Sequence, residues 1–424
     1  MNICRNQMIL AQDRYYSMNC HETQLNNNVL VVGTSGAGKT RSIVIPNLLQ
    51  ACGSYVVSDP KGNLYKKYGQ YLRRKGYKVK CIDFVHPELS VGYNPLDYIR
   101  NTQDIIKMAN MIVYQEKVNS KADPFWEQAA VMLFASVIAY LIERSEYDEL
   151  VPSLPLVAYI ISLAKKCSYG TTNLELLMGE HEKKNPNSWA CQQFNKVNTA
   201  PEKTFDSILI TAESKLRNID SSEMEKMLEK NEIDLPSIGK QKTALFVVVS
   251  DTDRSMDNMA NLVFTQAMNE LCLYADDQCK DNELPVPVRF ILDDFATNCQ
   301  IQEFPRMISS FRSRNISTML MIQAESQLEE CYGKDGRTII CNCDTYIYLG
   351  GNDIETAKSV SMRCDLPLRK ILYMPVGHNW IFRRGEEPCF SKNFDLESYL
   401  EKIAVPVNKE KTDDDKTADI IMIR

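Results

Sequence analysis

The chain has 424 residues, of which 44% are hydrophobic and 25% charged, a composition typical of ordinary globular proteins. Its formal net charge of −6 excludes a small, uniformly basic DNA-binding protein, although a local basic surface is still compatible with it. The length is enough for one large domain with an insertion, or for two or three domains.

Cysteine spacing and hydropathy indicate a cytoplasmic chain. None of the 14 cysteines lies in a C-x-x-C pair, and Cys341 and Cys343 are too close together for the usual zinc knuckle. Free thiols are therefore expected, as is typical of the cytoplasm. The N-terminus lacks the pattern of a signal peptide. The longest apolar stretch, residues 129–142, is shorter than the ~20 residues that a membrane span needs.

The first predicted elements alternate between strand and helix. Residues 29–33 predict a buried strand, and a helix follows in which Pro46 marks a kink or the end of the regular part. Further strands are predicted at 54–58 and 78–83, with a helix over 63–75 between them. Strands and helices at this spacing predict parallel βαβ units.

The turn after the first strand carries the pattern G-x-x-x-x-G-K-[ST] of a phosphate-binding loop. The predicted nucleotide-binding residues are Gly33, Thr34, Ser35, Gly36, Ala37, Gly38, Lys39, Thr40 and Arg41. The glycines allow backbone N–H groups to face phosphates. Lys39 is expected on the β- and γ-phosphates of ATP, and Thr40 on Mg²⁺. The complete motif between a strand and a helix argues against a chance glycine-rich loop.

The middle of the chain reads as helical. The apolar segment 126–144 predicts a buried helix. From about residue 145 to residue 236, strand signals vanish and helical patterns with charged faces replace them. We interpret 145–236 as an all-α domain that interrupts an α/β domain.

Strands return in the second half of the chain. Apolar runs at 243–250, 288–293, 318–323 and 345–349 predict buried strands, and helices are expected over 256–276 and 303–314. The sequence thus predicts a lead segment (1–28), a nucleotide-binding domain in two parts (29–144 and 237–404), the all-α domain (145–236) and a charged, disordered tail (405–424).

The strand at 288–293 ends in two carboxylates. We predict that Asp293 holds Mg²⁺ through water and that Asp294 polarises the attacking water as a general base. Many P-loop motors have Glu at the second position, so the shorter Asp294 predicts a displaced water or slower hydrolysis. The alternative is a solvated acidic strand end, which is less favoured because the phosphate-binding loop is present.

Polar residues beyond this strand are candidates for further roles. Gln323 can hydrogen-bond the γ-phosphate, or it can simply cap a strand. Arg312 and Arg314 can reach a neighbouring subunit as arginine fingers, although residue type alone favours a solvated helix face. The basic, tyrosine-rich stretch 64–80 can contact nucleic acid, but an amphipathic helix with a solvated basic face is the favoured interpretation.

Several stretches, in the right order, resemble the coupling ATPases of conjugative type IV secretion, in the form common in mobile elements of Gram-positive bacteria. They are GTSGAGKTRSIVIPNLLQ, SYVVSDPKGNLYKKYGQYLRRKGYKVKCIDFVHPELSVGYNPLDYI, DPFWEQAAVMLFASVIAYL, KTALFVVVSDTD, RFILDDFA, FRSRNISTMLMIQAESQL and IICNCDTYIYLGG. Together they span about residues 29–400, and only the helical stretch is loosely matched.

The resemblance implies an α/β fold, with a RecA-like P-loop NTPase domain whose mostly parallel sheet is interrupted by an all-α domain. It implies a homo-hexameric ring in which ATP hydrolysis with Mg²⁺ drives single-stranded DNA and its attached relaxase towards the type IV secretion channel. By position within the motif, it places the arginine finger at Arg312 and the phosphate-sensing residue at Gln323.

The sequence departs from this family in two respects. Asp294 stands where the family usually has Glu, and the N-terminal transmembrane hairpin typical of the family is not found. We therefore expect a cytoplasmic chain that reaches the cytoplasmic face of the membrane through partners, with a monomer as the alternative state when anchor or DNA is absent.

Two alternative functions are another hexameric P-loop DNA translocase, for segregation or DNA processing, and a nucleotide-switch binding module with little hydrolysis. The stretches SDPKGNLY and GYNPLDYI favour the coupling ATPase over the first alternative. Asp294 keeps the second alternative open.

Overall fold

The computed structural model describes residues 6–114, 124–165, 171–298, 300–301 and 303–403, and the predicted tail 405–424 lies outside them. The strands are β1 (Gln7–Ala11), β2 (Arg14–Ser17), β3 (Val29–Val32), β4 (Ser54–Ser58), β5 (Lys78–Asp83), β6 (Thr243–Val248), β7 (Val288–Leu292), β8 (Ile316–Ile322), β9 (Thr345–Tyr348), β10 (His378–Arg383) and β11 (Cys389–Lys392). The helices are α1 (Cys20–Thr23), α2 (Ile45–Leu49), α3 (Asn63–Arg74), α4 (Thr102–Val113), α5 (Phe125–Ser145), α6 (Leu154–Ser162), α7 (Asn173–Lys184), α8 (Trp189–Asn198), α9 (Glu202–Leu216), α10 (Ser222–Glu229), α11 (Asp257–Gln278), α12 (Phe295–Asn298), α13 (Phe304–Met307), α14 (Ser326–Tyr332), α15 (Gly336–Cys341), α16 (Ile354–Cys364), α17 (Leu368–Leu372) and α18 (Leu396–Ile403).

A nine-stranded sheet has the order β11-β10-β9-β3-β8-β7-β4-β6-β5. Strands β9, β3, β8, β7 and β4 pair in parallel, whereas β10 is antiparallel to both β9 and β11. The parallel strands are buried along their whole length, as is usual for parallel sheets. The mostly parallel α/β sheet predicted from the sequence is therefore confirmed.

The strand register sets the position of the candidate site. Val32 at the end of β3 pairs with Ile322 at the end of β8, and Ser58 at the end of β4 pairs with Leu292 at the end of β7. The loops that follow these strands therefore leave the same edge of the sheet. Ligands of open α/β sheets bind at this carboxyl edge.

Two compact units can be distinguished by their internal contacts. The first comprises the described parts of Met1–Val79, Ser237–Phe246 and Cys272–Arg424, and the second comprises those of Lys80–Pro236 and Val247–Leu271. The described residues between 145 and 236 form α6 to α10 with their connecting turns. The domain boundaries drawn from the sequence stay a prediction.

In the second unit, α5 forms the centre of the helical packing. Within the described residues, α5 is the one helix that is long and apolar enough to cross a membrane by length and composition alone. It packs against α4, α8 and α9, and 61% of its most apolar window is buried inside the protein. This packing is that of a core helix.

The lead segment contributes a hairpin that the sequence did not predict. Strand β1 is antiparallel to β2, and Met8, Ile9 and Leu10 are fully buried. The Asn47 side chain, on α2, accepts from the backbone N–H of Ile9 at 3.0 Å and donates to its carbonyl at 2.8 Å. The hairpin is thus hydrogen-bonded to α2, the helix that follows the phosphate-binding loop.

The predicted helix over 303–314 is wrong as a single element. Helix α13 ends at Met307 and is followed by separate turns at Ile308–Ser310 and Arg312–Arg314. The hydroxyls of Ser309 and Ser310 donate to carbonyls three residues earlier, and such bonds compete with regular helix. Asn315 then has φ of +59° and ends the last turn.

Candidate nucleotide-binding site

The phosphate-binding loop joins β3 to a wide helical turn at Thr40–Val44, which continues into α2. Gly38 has φ of +91°, a conformation that residues with a side chain avoid. At Gly33, a Cβ atom would come within 2.9 Å of the Leu349 Cβ. Glycine is therefore required at Gly38 by the local backbone and at Gly33 by the close approach of Leu349.

The Lys39 ammonium lies inside the loop. Lys39 is 8% exposed, and its Nζ donates to the carbonyl oxygens of Gly33 at 2.6 Å and Thr34 at 3.3 Å. Burial lowers the pKa of Lys39, and the charges of Asp294 and Asp293 act in the opposite direction. The structure thus brings Lys39 within electrostatic reach of both carboxylates.

Thr40 and Asp293 meet directly at the carboxyl edge of the sheet. The Thr40 Oγ1 donates to the Asp293 Oδ2 at 2.7 Å. Burial raises the pKa of Asp293, the Thr40 hydrogen bond and the Lys39 charge lower it, and the Asp294 charge raises it. The sequence separation of these two residues is large, and only the parallel packing of β3, β8 and β7 unites them.

The pair of oxygen atoms fits a hard divalent cation. Mg²⁺ prefers oxygen ligands and is usually held by one or two carboxylates together with phosphate oxygens and water. Among the described residues, no group of three or more His, Cys, Asp or Glu side chains is arranged to hold a metal by itself. Thr40 and Asp293 would therefore hold Mg²⁺ together with a bound phosphate.

Asp294 and Gln323 lie near the Thr40–Asp293 pair. Asp294 has φ of +50°, a left-handed conformation that Asp and Asn tolerate better than other side chains. Its backbone N–H donates to the Asp293 Oδ1 at 3.2 Å. Gln323 is exposed and follows Ile322, whose carbonyl accepts from the Gly33 N–H at 3.1 Å. Both residues therefore lie next to the phosphate-binding loop.

The arginine candidates have different surroundings. Arg41 is exposed and pairs with Glu397 at 2.5 Å. Arg312 precedes β8 at the opposite, amino-terminal edge of the sheet, and its exposed guanidinium lies 3.4 Å from the Cys20 carbonyl oxygen. Arg314 is held within the chain, since its guanidinium pairs with Asp276 at 2.8 Å.

The tyrosines of the basic stretch 64–80 are largely withdrawn from solvent. Tyr68, Tyr71 and Tyr77 are all buried, so their rings are not available to stack on bases. The structure supports the amphipathic-helix interpretation of α3.

Asp59 is a buried carboxylate to which the sequence reasoning assigned no role. It follows β4, and the parallel pairing of β4 with β7 places it beside Asp293. It is 1% exposed and accepts from the backbone N–H groups of Leu64 at 3.0 Å and Tyr65 at 2.8 Å. Burial raises the pKa of Asp59 to about 6. An acidic residue directly after a buried strand was the signal that could have identified it.

The raised pKa of Asp59 predicts a pH-dependent stability difference. In the unfolded chain, Asp59 ionises near pH 4, whereas in the folded protein it keeps its proton until about pH 6. The folded state binds more protons between these values, so its stability falls as pH rises through this window. Relative to Asp59→Asn, the wild type should lose up to about 3 kcal/mol of unfolding free energy across it.

Denaturant titrations of both proteins, without nucleotide, at half-unit steps from about pH 4 to 8 measure this difference. Asp59→Asn also loses one hydrogen bond at every pH. This loss shifts its unfolding free energy by a constant amount and does not change how the difference between the two proteins varies with pH. Parallel curves through the whole range would contradict the assignment of the raised pKa to Asp59.

The fold and the site are those of a P-loop NTPase. The sheet is mostly parallel, a glycine-rich loop follows the buried strand β3, and Thr40 after this loop bonds the carboxylate at the end of β7.

Comparisons with known proteins extend this assignment. Residues 4–365 match the family model described as "Type IV secretory system Conjugative DNA transfer". The chain therefore belongs to the type IV secretory system conjugative DNA transfer family, which confirms the resemblance to conjugative coupling proteins found in the sequence.

The relatives show how far the likeness extends. Conjugal transfer protein TraG of Escherichia coli is 23% identical over 351 residues, which are 79% of this chain and 54% of that protein. The chain thus spans about half the length of the curated relatives it matches.

Solved structures share the fold at low identity. The bacterial conjugative coupling protein TrwBdeltaN70, in its unbound form, has a TM-score of 0.68 at 16% identity and covers 92% of this chain and 88% of its own. TrwB in complex with ADP and Mg²⁺ has a TM-score of 0.64 at 16% identity, covering 86% and 84%. These likenesses confirm the predicted RecA-like α/β fold combined with helices.

Proposed function

We propose that this chain is an ATP-driven coupling protein, which recruits DNA with its relaxase and pumps it towards a type IV secretion channel during conjugative transfer. One observation carries the proposal: in a member of a conjugative DNA transfer family, Thr40 is 2.7 Å from Asp293 and Lys39 lies beside them. TrwB has been solved with ADP and Mg²⁺, which supports ATP and Mg²⁺ as the ligands.

The residues of the loop would bind and orient the nucleotide. Backbone N–H groups from Gly33 to Arg41 surround the phosphates. Lys39 exchanges its two carbonyl acceptors for the β- and γ-phosphate oxygens. Thr40 and Asp293 would hold Mg²⁺, which would supply positive charge to the phosphate oxygens.

Three further residues would serve hydrolysis itself. Asp294 takes a proton from the attacking water. Gln323, beside the first glycine of the loop, bonds the γ-phosphate and responds to its loss. Arg312, exposed at the opposite edge of the sheet, stabilises the transition state in a neighbouring subunit.

The proposal includes assembly and location. A trans-acting Arg312 requires a ring, for which a homo-hexamer is the natural closed form. Single-stranded DNA, the relaxase and components of the secretion channel are its partners. The ring acts at the cytoplasmic face of the membrane, to which its partners bring it.

A nucleotide switch with little hydrolysis is a second candidate function, favoured by one observation. Asp294 has a short carboxylate held in a left-handed backbone conformation, which limits how far it reaches towards a water. A different DNA translocase of the same fold shares every local feature of the site and differs in its partners.

Steady-state ATP hydrolysis with and without single-stranded DNA tests the proposal. We expect turnover that requires Mg²⁺, rises with single-stranded DNA and disappears in Asp293→Asn. Glu355→Gln, which alters an exposed partner of Lys358 outside the site, is the matched control for a carboxylate-to-amide change. Nucleotide binding without turnover under all these conditions would favour the switch instead.

Asp294→Glu is expected to raise turnover severalfold, because the longer carboxylate reaches a water that Asp holds at a less productive position. Asp294→Asn should lower kcat by about 10²–10⁴, the usual contribution of a general base. Single-turnover hydrolysis with pre-bound ATP measures both. Equal or lower turnover in Asp294→Glu would show that the pocket has adapted to Asp, or that Asp294 is not the base.

A further inference from the structure

A cavity lies at the amino-terminal edge of the sheet, opposite the phosphate-binding loop. It encloses about 200 Å³ and is lined by the first residues of β4, β7 and β8, by the end of α2 and by α1. All of its lining residues belong to the first compact unit. None of them is proposed above to bind nucleotide, and Arg312 is proposed to act in hydrolysis by a neighbouring subunit.

The cavity contains a buried guanidinium without a counter-charge. Arg289, on β7, is 7% exposed. Its Nε donates to the Ser317 Oγ at 3.2 Å and its Nη2 lies 3.2 Å from the Met18 Sδ, and a thioether is a weak acceptor. Within the described chain, no carboxylate pairs with it. Burial lowers the pKa of Arg289, while Tyr55 and two thiols act against this shift.

Further donors line the same cavity. The Gln50 Nε2 is buried and has no hydrogen-bond partner among the described residues. The exposed Arg312 guanidinium is also a lining group. Burial raises the pKa of the Cys20 thiol, whereas the charges of Arg312 and Arg289 lower it. Both guanidinium groups therefore lie close to this thiol.

The acidic side chain among the described lining residues is Glu283, and it is already paired, with the His21 Nε2 at 2.9 Å. The lining thus combines several donors with a single carboxylate, which is hydrogen-bonded to His21 and is not paired with Arg289. Burying an unpaired charge is costly unless a counter-charge and hydrogen bonds accompany it. An anion in the cavity would supply both.

We propose that this cavity binds a small oxyanion, a phosphate or a carboxylate group, between Arg289 and the Gln50 amide. The planar guanidinium fork matches two oxygen atoms of such a group. The site is separate from the phosphate-binding loop, because it lies at the starts of β4, β7 and β8, whereas the loop and Asp293 follow the carboxyl ends of β3 and β7.

Titration with inorganic phosphate, and separately with acetate, tests the proposal by calorimetry and by thermal unfolding. The phosphate-binding loop is first saturated with Mg²⁺ and ADP, and the titration is repeated in Lys39→Ala, so that the loop cannot account for the signal. We expect saturable anion binding both in the wild type with Mg²⁺ and ADP and in Lys39→Ala. The anion that binds with the higher affinity identifies the preferred group.

Three variants assign the binding to this cavity. Arg289→Met should weaken it about tenfold or more, since a hydrogen-bonded charge pair is lost, without lowering the melting temperature in anion-free buffer. Arg289→Lys, which keeps the charge but not the fork, should give an intermediate affinity. Arg306→Met removes an exposed arginine outside the cavity and should change nothing.

Protection of a thiol provides a readout that needs no variant. Phosphate should slow iodoacetamide labelling of Cys20, which lines the cavity, and leave labelling of the exposed Cys341 unchanged. Absence of saturable binding, equal binding in Arg289→Met, or equal labelling of Cys20 with and without anion would overturn the proposal. Binding that disappears in Lys39→Ala would assign the anion to the phosphate-binding loop and would also overturn it.

Discussion

Lys39→Ala should abolish ATP hydrolysis, with kcat reduced by at least about 10²–10³, the usual effect of removing one donor to the developing charge. Nucleotide affinity should fall about tenfold or more, because a charged hydrogen bond to phosphate is lost. The structural reason is that Lys39 is the ammonium within electrostatic reach of both Asp293 and Asp294. Without it, these carboxylates would repel the γ-phosphate.

Lys358→Ala is the matched control, since Lys358 is an exposed lysine on α16 that pairs with Glu355 at 2.8 Å. Steady-state turnover and fluorescent-nucleotide titration on both variants separate chemistry from binding. If Lys39→Ala kept turnover within tenfold of wild type, the phosphate-binding loop would not be the site of hydrolysis.

Arg312→Ala should keep nucleotide binding and lose turnover by about 10³–10⁵, the contribution of a trans arginine in known P-loop enzymes. Arg312 lies at the amino-terminal edge of the sheet, whereas the phosphate-binding loop lies at the carboxyl edge. Its guanidinium therefore cannot be assigned to the nucleotide of its own chain. Hydrolysis per subunit should rise steeply with protein concentration, or with DNA that gathers subunits.

A mixture of Arg312→Ala and Lys39→Ala chains should recover part of the ATPase activity. In a mixed ring, some interfaces place the intact Arg312 of one subunit beside the intact phosphate-binding loop of its neighbour. The control is a mixture of Arg306→Ala and Lys39→Ala chains. Its ATPase activity gives the level expected when every subunit keeps Arg312. Two results together would contradict the trans arrangement. Total ATPase activity would be proportional to protein concentration, and the Arg312→Ala and Lys39→Ala mixture would be inactive under conditions in which mixed rings demonstrably form.

The nucleotide-binding loop was predictable because its signal is local. Gly38 must adopt a positive φ, and Lys39 and Thr40 follow it within one turn, so the motif contains its own geometry. The meeting of Thr40 with Asp293 also followed from the sequence, because carboxyl ends of parallel strands share an edge. The roles of these residues in hydrolysis stay predictions.

Features that depend on distant partners were not predictable in the same way. The apolar run of β1 is too short to distinguish from other buried segments, and its pairing with β2 and attachment to Asn47 are visible only in the fold. Arg289 reads as an ordinary strand residue in V-R-F-I-L-D-D. Its burial arises from β4, β8 and α1 together, so no local pattern indicates the cavity around it.

Transfer of relaxase-bound DNA between cells tests the central claim most directly. Donors carrying the corresponding mobile element would express wild type, Lys39→Ala or Lys358→Ala at equal protein levels in place of the native copy. The account predicts transfer at wild-type frequency for Lys358→Ala and only background transfer for Lys39→Ala, with recovery when wild type is supplied from a second locus. Undiminished transfer in Lys39→Ala donors would contradict the claim that ATP hydrolysis at this site drives the DNA.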